Sequence, residues 1–299
     1  YISVASAVGS AYINIVKLDA FIDLQEEIVD LRKDIFEMMD ISNKEGLIST
    51  SDLVKANKAY ITSVTELTDL KKNRTKLLNA LAVLTGDSPN NIEEYQRISY
   101  DKLRYSGNIP TTVPSEVIVK RPDYLKAEKM LEKAGIDVRI ARKEMLPSIP
   151  LGGGVIFNNK NFGSLFNASS MMWGVGGAFL QPAFMGGRLR ANLKAKKLAY
   201  EKSLKNYEKV NLTSMQEVND SLVSINMDKE KLQKQKDIQK LEKQDFSISQ
   251  KKFDEGVIAR LDLCQMKENL LMINKMVYMS EFDCMIDYIS YYKAVGANS

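Results

Sequence analysis

Apolar residues recur at helical spacing along most of the chain. Across residues 4–42, Ile13, Val16, Leu18, Phe21, Leu24, Ile28, Leu31, Ile35 and Met38 keep a step near three to four, which predicts an amphipathic helix. Gly46 reads as its C-terminal stop, and Ser49-Thr50-Ser51-Asp52 supplies capping residues for a second helix. That helix is expected to run to about Leu84 and to end at the breaker Gly86-Asp87-Ser88-Pro89. A short turn between two such helices makes them antiparallel neighbours.

Periodicity then weakens. Residues 87–120 contain Pro110 and Pro114 and read as a connector, with a short strand expected at 116–119. Arg121-Pro122-Asp123 opens a helix over about 122–145: proline suits the first helical turn and an acid there suits the helix dipole. Pro147 and Pro150 close it. Residues 148–182 differ in kind, because residues 148–181 hold seven of the sixteen glycines, few charges and the sole tryptophan. They read as two strands around a loop near 158–169. Leu151, Val155 and Phe157 alternate with Gly152, Gly154 and Ile156; Met171, Trp173, Val175 and Phe179 alternate with mostly smaller residues. Ile156, Met172 and Leu180 break the alternation. Large residues on one face opposite small ones fit a membrane barrel strand, a weak signal strand by strand. After a kink at 182–187, one helix continues without a breaker from Arg188 to Gly256, on the order of 100 Å. No ordinary globular core has that length, so the helix is expected to pack as a coiled coil or helical barrel. A return helix follows over about 260–294.

The two hairpins are copies of each other. Glu45-Gly46, Ile48, Asp52-Leu53 and Gly86 return without a gap as Glu255-Gly256, Ile258, Asp262-Leu263 and Gly296. The offset of 210 residues far exceeds the period of a solenoid repeat. The fold expected is therefore mainly α with a small β part: long antiparallel coiled-coil hairpins in two repeats, plus a β-hairpin. Its segments are a first hairpin over 1–86, a connector over 87–120, a helix over 121–147, the strand pair over 148–182 and a second hairpin over 183–299.

Composition narrows the chemistry. With 42 basic and 38 acidic residues, the net charge is +4, and the signs alternate along helices, as on solvated faces, instead of gathering into a nucleic-acid patch. Histidine is absent, which removes the commonest general base and metal ligand. Cys264 and Cys284 have neither zinc-site nor disulfide spacing and read as small buried hydrophobes. Gly152-Gly153-Gly154 lacks the Gly-Lys-Ser/Thr of a phosphate loop. No catalytic or metal-ligand set assembles, and no cofactor is implied. No apolar run is long enough for a membrane-spanning helix. Asp52 and Asp262 have two readings, helix N-terminal dipole partners or carboxylates lining a narrow opening at the tips. Trp173 and Phe179 likewise read either as core or as an interfacial girdle.

Taken in order, these residues resemble the TolC-type outer membrane factors, most closely the efflux-lipoprotein branch. The resemblance rests on Arg121-Pro122-Asp123 with Ala127-Glu128, then Ile140-Ala141-Arg142 and Leu146-Pro147-Ser148-Ile149. It continues through Trp173-Gly174, Pro182, Gly186-Gly187-Arg188-Leu189-Arg190-Ala191, Phe253-Asp254-Glu255-Gly256 to Asp262-Leu263, and Tyr292-Lys293-Ala294-Val295-Gly296. It implies a homotrimer in the cell outer membrane that extends into the periplasm. It implies a periplasmic adaptor, an inner-membrane pump of the resistance-nodulation-division class and outer membrane lipid as partners, with no nucleic acid and no enzymatic activity. Glu45, Gly46, Leu47, Glu255, Gly256 and Val257 correspond to adaptor-contacting tips. Asp262 corresponds to a ring of carboxylates at the periplasmic constriction, and Asp52 and Phe253 to contacts that hold that end shut. Gln265 stands where some members have a second acid. Leu151, Val155, Phe157, Trp173, Val175 and Phe179 correspond to membrane-facing strand positions. The first repeat lacks the strand hairpin that the second has, which leads to the expectation of a chain shortened at its N-terminus that would not conduct alone. The alternative function is a structural or adhesive coiled-coil rod without a pore.

Overall fold

The computed structural model describes residues 1–89, 96–103, 116–158, 163, 166–180 and 185–296. They cluster into two compact units, Tyr1–Ile118 with Met215–Ser299, and Val119–Ser214. Pro110, Pro114 and Pro182, with parts of the expected connector and strand loop, lie outside the described residues.

The first unit is built on helices α1 (Ile2–Lys44) and α2 (Thr50–Thr85), and on α6 (Arg260–Ala294), which follows the 67-residue α5 (Arg188–Asp254). Helix α1 is the hub. Its apolar stripe meets α6 through Leu24, Ile28, Leu31, Cys264 and Leu271, and again through Val16, Ala20, Phe282 and Met285. Its other flank meets α2 through Ile15, Leu78 and Leu81. Most of the residues that carried the sequence periodicity, including Val16, Phe21, Leu24, Ile28 and Leu31, are buried here.

Polar rungs set the register of these helices. Gln25 is fully buried; its Nε2 donates to the Ser63 carbonyl and to Glu66 Oε2 on α2, both at 3.1 Å, and its Oε1 accepts from Lys275 Nζ on α6 at 3.3 Å. Two turns on, Arg32 repeats the pattern, donating to the Ala59 carbonyl on α2 at 3.2 Å and from Nη2 to Glu268 Oε1 on α6 at 2.7 Å. Lys17 pairs with Asp283 at 3.2 Å further along the same seam. A buried amide is tolerated only when its donors and acceptor are matched, so each rung penalises any slip of the helices past one another.

Helices α1, α5 and α2 end by the same device. Leu47 N–H donates to the Ser42 carbonyl at 2.8 Å and Gly46 N–H to the Asn43 carbonyl at 3.0 Å; Val257 donates to Lys252 at 2.7 Å and Gly256 to Phe253 at 2.9 Å. These paired bonds are Schellman caps, which require a left-handed residue, and Gly46 and Gly256 have φ of 75° and 72°. Gly86 closes α2 in the same way, with Asp87 N–H bonded to Ala82.

A short segment, 96–103, lies against α1 and α6. Arg97 pairs with Asp19 at 2.7 Å, and Tyr100 packs its ring, tilted by 41°, against Tyr278 and hydrogen-bonds Glu281. Where a strand was expected at 116–119, the chain instead forms a single helical turn, α3 (Glu116–Val119). The β-branched run Val117-Ile118-Val119 gave the strand signal, but it has no strand partner among the described residues, and Ile118 is buried as part of the turn.

Helix α5 also meets α6 within this unit, through Leu232, Val277 and Cys284 and the pairs Lys236–Glu281 at 2.6 Å and Gln239–Asn274 at 2.8 Å. Burial first, then adjacent carboxylates, pushes the Cys284 thiol up to about 11, so it packs as a neutral hydrophobe. Beside it, burial and then the neighbouring Asp228 carboxyl push Asp287 up to about 7, with Asp283 adding repulsion and Lys231 offsetting it.

The second unit contains α4 (Pro122–Lys143), strands β1 (Leu151–Phe157) and β2 (Met171–Gly177), and the first turns of α5. Pro122 takes the first helical position of α4, and buried Arg121 grips Asp123 with two hydrogen bonds at 3.0 and 2.7 Å, holding that carboxyl below its usual range. Tyr124 and Tyr207 join α4 to α5 through their hydroxyls, and Lys196 pairs with Asp137 at 3.4 Å.

Three outcomes test this packing. Gln25→Leu strands Glu66 and Lys275 and is expected to cost about 2 kcal/mol in urea unfolding, whereas Lys72→Ala, which loses only an exposed pair with Asp69, costs under about 0.5 kcal/mol. Gly46→Ala and Gly256→Ala, whose new Cβ meets nothing within 4 Å, each cost about 1 kcal/mol from the left-handed backbone alone. Because the Asp287 pKa is higher folded than unfolded, folding takes up a proton between the ordinary value of 3.8 and about 7. Its contribution to stability therefore falls as pH rises through that window and is flat above it. Asp287→Asn should gain on the wild type as pH rises from 4 to 7 in urea titrations.

Candidate functional site

The repeated tips form one candidate site, in the first unit. Ser42 and Lys252 sit at equivalent positions, so the two Schellman turns project equivalent residues: Glu45, Gly46 and Leu47 at the first, Glu255, Gly256 and Val257 at the second. All six are exposed, and the apolar pair Leu47 and Val257 remain 72% and 66% accessible. A Schellman turn commonly seats its following apolar residue against the helix; here both stand in solvent. Ile48 and Ile258, one residue on, are half-buried, as are Leu53 and Leu263, in the positions of a hydrophobic staple.

Asp52 and Asp262 each occupy the third helical position, of α2 and α6 respectively. Asp52 accepts from the Ser49 hydroxyl at 2.8 Å and from Lys55 Nζ at 2.9 Å; these bonds, Lys55 first, hold its carboxyl below the usual range. The Ser49 hydroxyl in turn accepts from the Asp52 backbone N–H at 3.2 Å. In the second copy Ala259 has no hydroxyl to offer, and only the return half of the cap survives: Asp262 Oδ2 accepts from the Ala259 N–H at 3.2 Å. The aspartates thus carry a local capping duty that accounts for their recurrence after each glycine turn. Phe253 is half-buried and gives its carbonyl to the Gly256 cap, while Gln265 lies exposed one turn beyond Asp262.

The two tips emerge at the same end of the unit. Arg260, the first residue of α6, pairs with Asp34 near the end of α1 at 3.5 Å, and Cys264 sits in the α1 stripe against which Ile35 and Met38 also pack. Sequence reading overlooked this tether and the Gln25 and Arg32 rungs behind it, because Gln and Arg within an apolar stripe carry no periodic signal. Among the described residues, no group of three His, Cys, Asp or Glu side chains is placed to hold a metal ion.

The second candidate site is the strand pair. β1 and β2 are antiparallel in the register Leu151↔Gly177, Val155↔Trp173 and Phe157↔Met171, so Leu151, Val155, Phe157, Met171, Trp173 and Val175 share one face. The opposite face presents Gly152, Gly154, Gly174 and Gly176, with Ile156 paired to Met172 at the far end. All fourteen strand residues are exposed, and Trp173 is 74% accessible, which rules out a core role within this chain. β2 ends as a regular strand at Gly177, but the pairing keeps its register beyond it: Ala178 N–H donates to the Pro150 carbonyl at 3.2 Å, and Ser148 and Leu180 exchange bonds at 2.8 and 2.9 Å, so the exposed Phe179 falls on the face of Trp173 and Val175. The described helices contain no segment long and apolar enough to cross a membrane.

The chain is similar to known proteins along nearly its whole length. It is 24% identical over 296 residues to the toluene efflux pump outer membrane protein TtgC of Pseudomonas putida, covering 99% of this chain and 60% of that one. It is 29% identical over 225 residues to the cation efflux system protein CusC of Escherichia coli, covering 74% of this chain and 48% of the relative. Its fold superposes on the crystal structure of the CmeC outer membrane channel of Campylobacter jejuni with a TM-score of 0.82 at 24% identity, over 99% of this chain and 62% of that one. The chain therefore spans about 60% of the length of the curated relatives it matches most fully. The pattern of the outer membrane efflux proteins matches residues 113–275, more than half of the chain, and the chain belongs to that family.

Proposed function

We propose that this chain forms part of the outer membrane duct of a tripartite efflux or export system, as a passive conduit in the efflux-lipoprotein branch of its family. It acts as a homotrimer in the cell outer membrane, with the helical hairpins forming a tunnel in the periplasm. Its exposed tips, with Leu47 and Val257 at their apices, dock on a periplasmic adaptor, which connects them to an inner-membrane pump of the resistance-nodulation-division class. The pump supplies the energy and selects the cargo.

The observation that carries this reading is the hairpin of β1 and β2. Its fourteen residues are exposed on both faces, one of which is apolar along its length. A lone two-stranded sheet is at best marginal in water. Lipid against the apolar face, and further strands against both edges, supply what it lacks. At the other end, Asp52 and Asp262 head the helices that leave the tips. Brought to one axis by several protomers, their carboxylates would repel one another and favour cations. Phe253 packs that end shut, and the neutral Gln265 leaves the ring less acidic than a second carboxylate would.

Protein purified from its native membrane and inserted into planar bilayers should give discrete, cation-preferring currents. Asp262→Asn keeps an acceptor for the Ala259 N–H but removes the charge, so it should weaken cation preference and raise the open fraction with helicity unchanged. A coiled-coil rod would give no current at all, and an unchanged preference in Asp262→Asn would remove that residue from the constriction.

A further inference from the structure

We propose that the foot of the β1–β2 hairpin is a binding surface for anionic phospholipid headgroups of the inner leaflet of the membrane that holds the hairpin. The inference rests on the membrane reading given above. A cleft of about 880 Å³ opens there, lined by Lys143, Glu144, Leu146, Met185, Arg188 and Asn192 among others, all within the second unit. Lys143 and Arg188 enter it from the last turn of α4 and the first turn of α5, with Arg142, Arg190 and Lys194 flanking them in sequence and all five exposed. Among the described residues none of the five side chains has a hydrogen-bond or ion-pair partner, unlike Lys196 nearby, which is held by Asp137. The single carboxylate of the cleft, Glu144, accepts from Asn192 Nδ2 at 3.2 Å, and against Lys143 and Arg188 it leaves the lining with an excess of positive charge.

Two arguments select a lipid as the occupant. The first is charge: Lys143 and Arg188 in the cleft, with Arg142, Arg190 and Lys194 beside them in sequence, outnumber its one acid, a pattern that attracts an anionic lipid surface, with the long stems lying along apolar ground while the charged ends reach the phosphates. The second is continuity. The cleft walls Leu146, Met185 and Leu189 adjoin Ser148, whose bridge to Leu180 is the last pairing below the strands, and Leu151 then begins the apolar face. A phospholipid whose phosphate meets Lys143 and Arg188 can therefore run its acyl chains up that face towards Trp173. From Gly177 to Trp173 is four residues, about 13 Å of strand, close to one leaflet of a hydrocarbon core of about 30 Å.

Trp173 is the sole tryptophan of the chain and makes the test direct. The protein is placed in phosphatidylethanolamine vesicles containing a minority of phosphatidylglycerol, with mid-chain bromine carried either by the phosphatidylglycerol or by an equal fraction of the phosphatidylethanolamine. Brominated phosphatidylglycerol should quench Trp173 more than its zwitterionic counterpart, and the excess should shrink in high salt. Each charge removed should lower the relative association of the anionic lipid about fivefold. Arg142→Gln/Lys143→Gln/Arg188→Gln should thus abolish the excess, while Arg142→Lys/Arg188→Lys should keep it. Equal quenching by both lipids in the wild type, or an excess that survives the triple Gln variant, overturns the inference and leaves the duct untouched. Absence of quenching in fully brominated vesicles places the hairpin outside the bilayer and overturns both.

Discussion

The buried amide of Gln25 ties α2 to α6 through α1, and Arg32 does the same two turns further on. Helices of 35 to 67 residues have no globular core to hold them; apolar stripes alone would let them slide by a turn at little cost, since one aliphatic contact resembles the next. A fully buried glutamine whose two donated bonds and one accepted bond reach Ser63, Glu66 and Lys275 permits one register only. Everything at the tips depends on that register. If α6 moved by a turn, Arg260 would leave Asp34, and the two glycine turns would no longer emerge side by side.

The tips show how a duplicated sequence can keep one geometry while its local chemistry drifts. Both copies preserve the Schellman turn, because only a left-handed glycine closes a long helix so abruptly. The cap of the following helix has diverged. In the first copy the Ser49 hydroxyl accepts from the Asp52 backbone N–H and donates to the Asp52 carboxylate, while Ala259 leaves Asp262 to act alone in the second. Asp52 is further engaged by Lys55, whereas Asp262 has no ion pair among the described residues. The second carboxylate is therefore the better placed of the two to respond to a neighbour from another copy.

Much of this was legible in the sequence. Helix ends at Gly46, Gly86 and Gly256, the proline start of α4 and the uninterrupted length of α5 all follow from local rules that tertiary packing did not override. The strand pairing was legible too, because small and large residues alternate on either side of Trp173. One element was misread for a physical reason: Val117-Ile118-Val119 has strand propensity without a strand partner among the described residues. The polar rungs could not be read at all, since a Gln or Arg inside an apolar stripe looks like a break until the helices that satisfy it are in place.

The central claim is that the twin tips close one end of a duct formed by several copies of the chain. The most direct measurement is the current through single channels of protein from native membrane carrying Asp262→Cys, before and after a bulky cationic methanethiosulfonate, which forms a mixed disulfide with the thiolate and releases sulfinate. Cys264 and Cys284 are buried and give no background reaction. The account predicts that current falls in discrete equal steps, one per protomer, and that a reducing agent restores it. A current indifferent to complete modification of Cys at that position would contradict it.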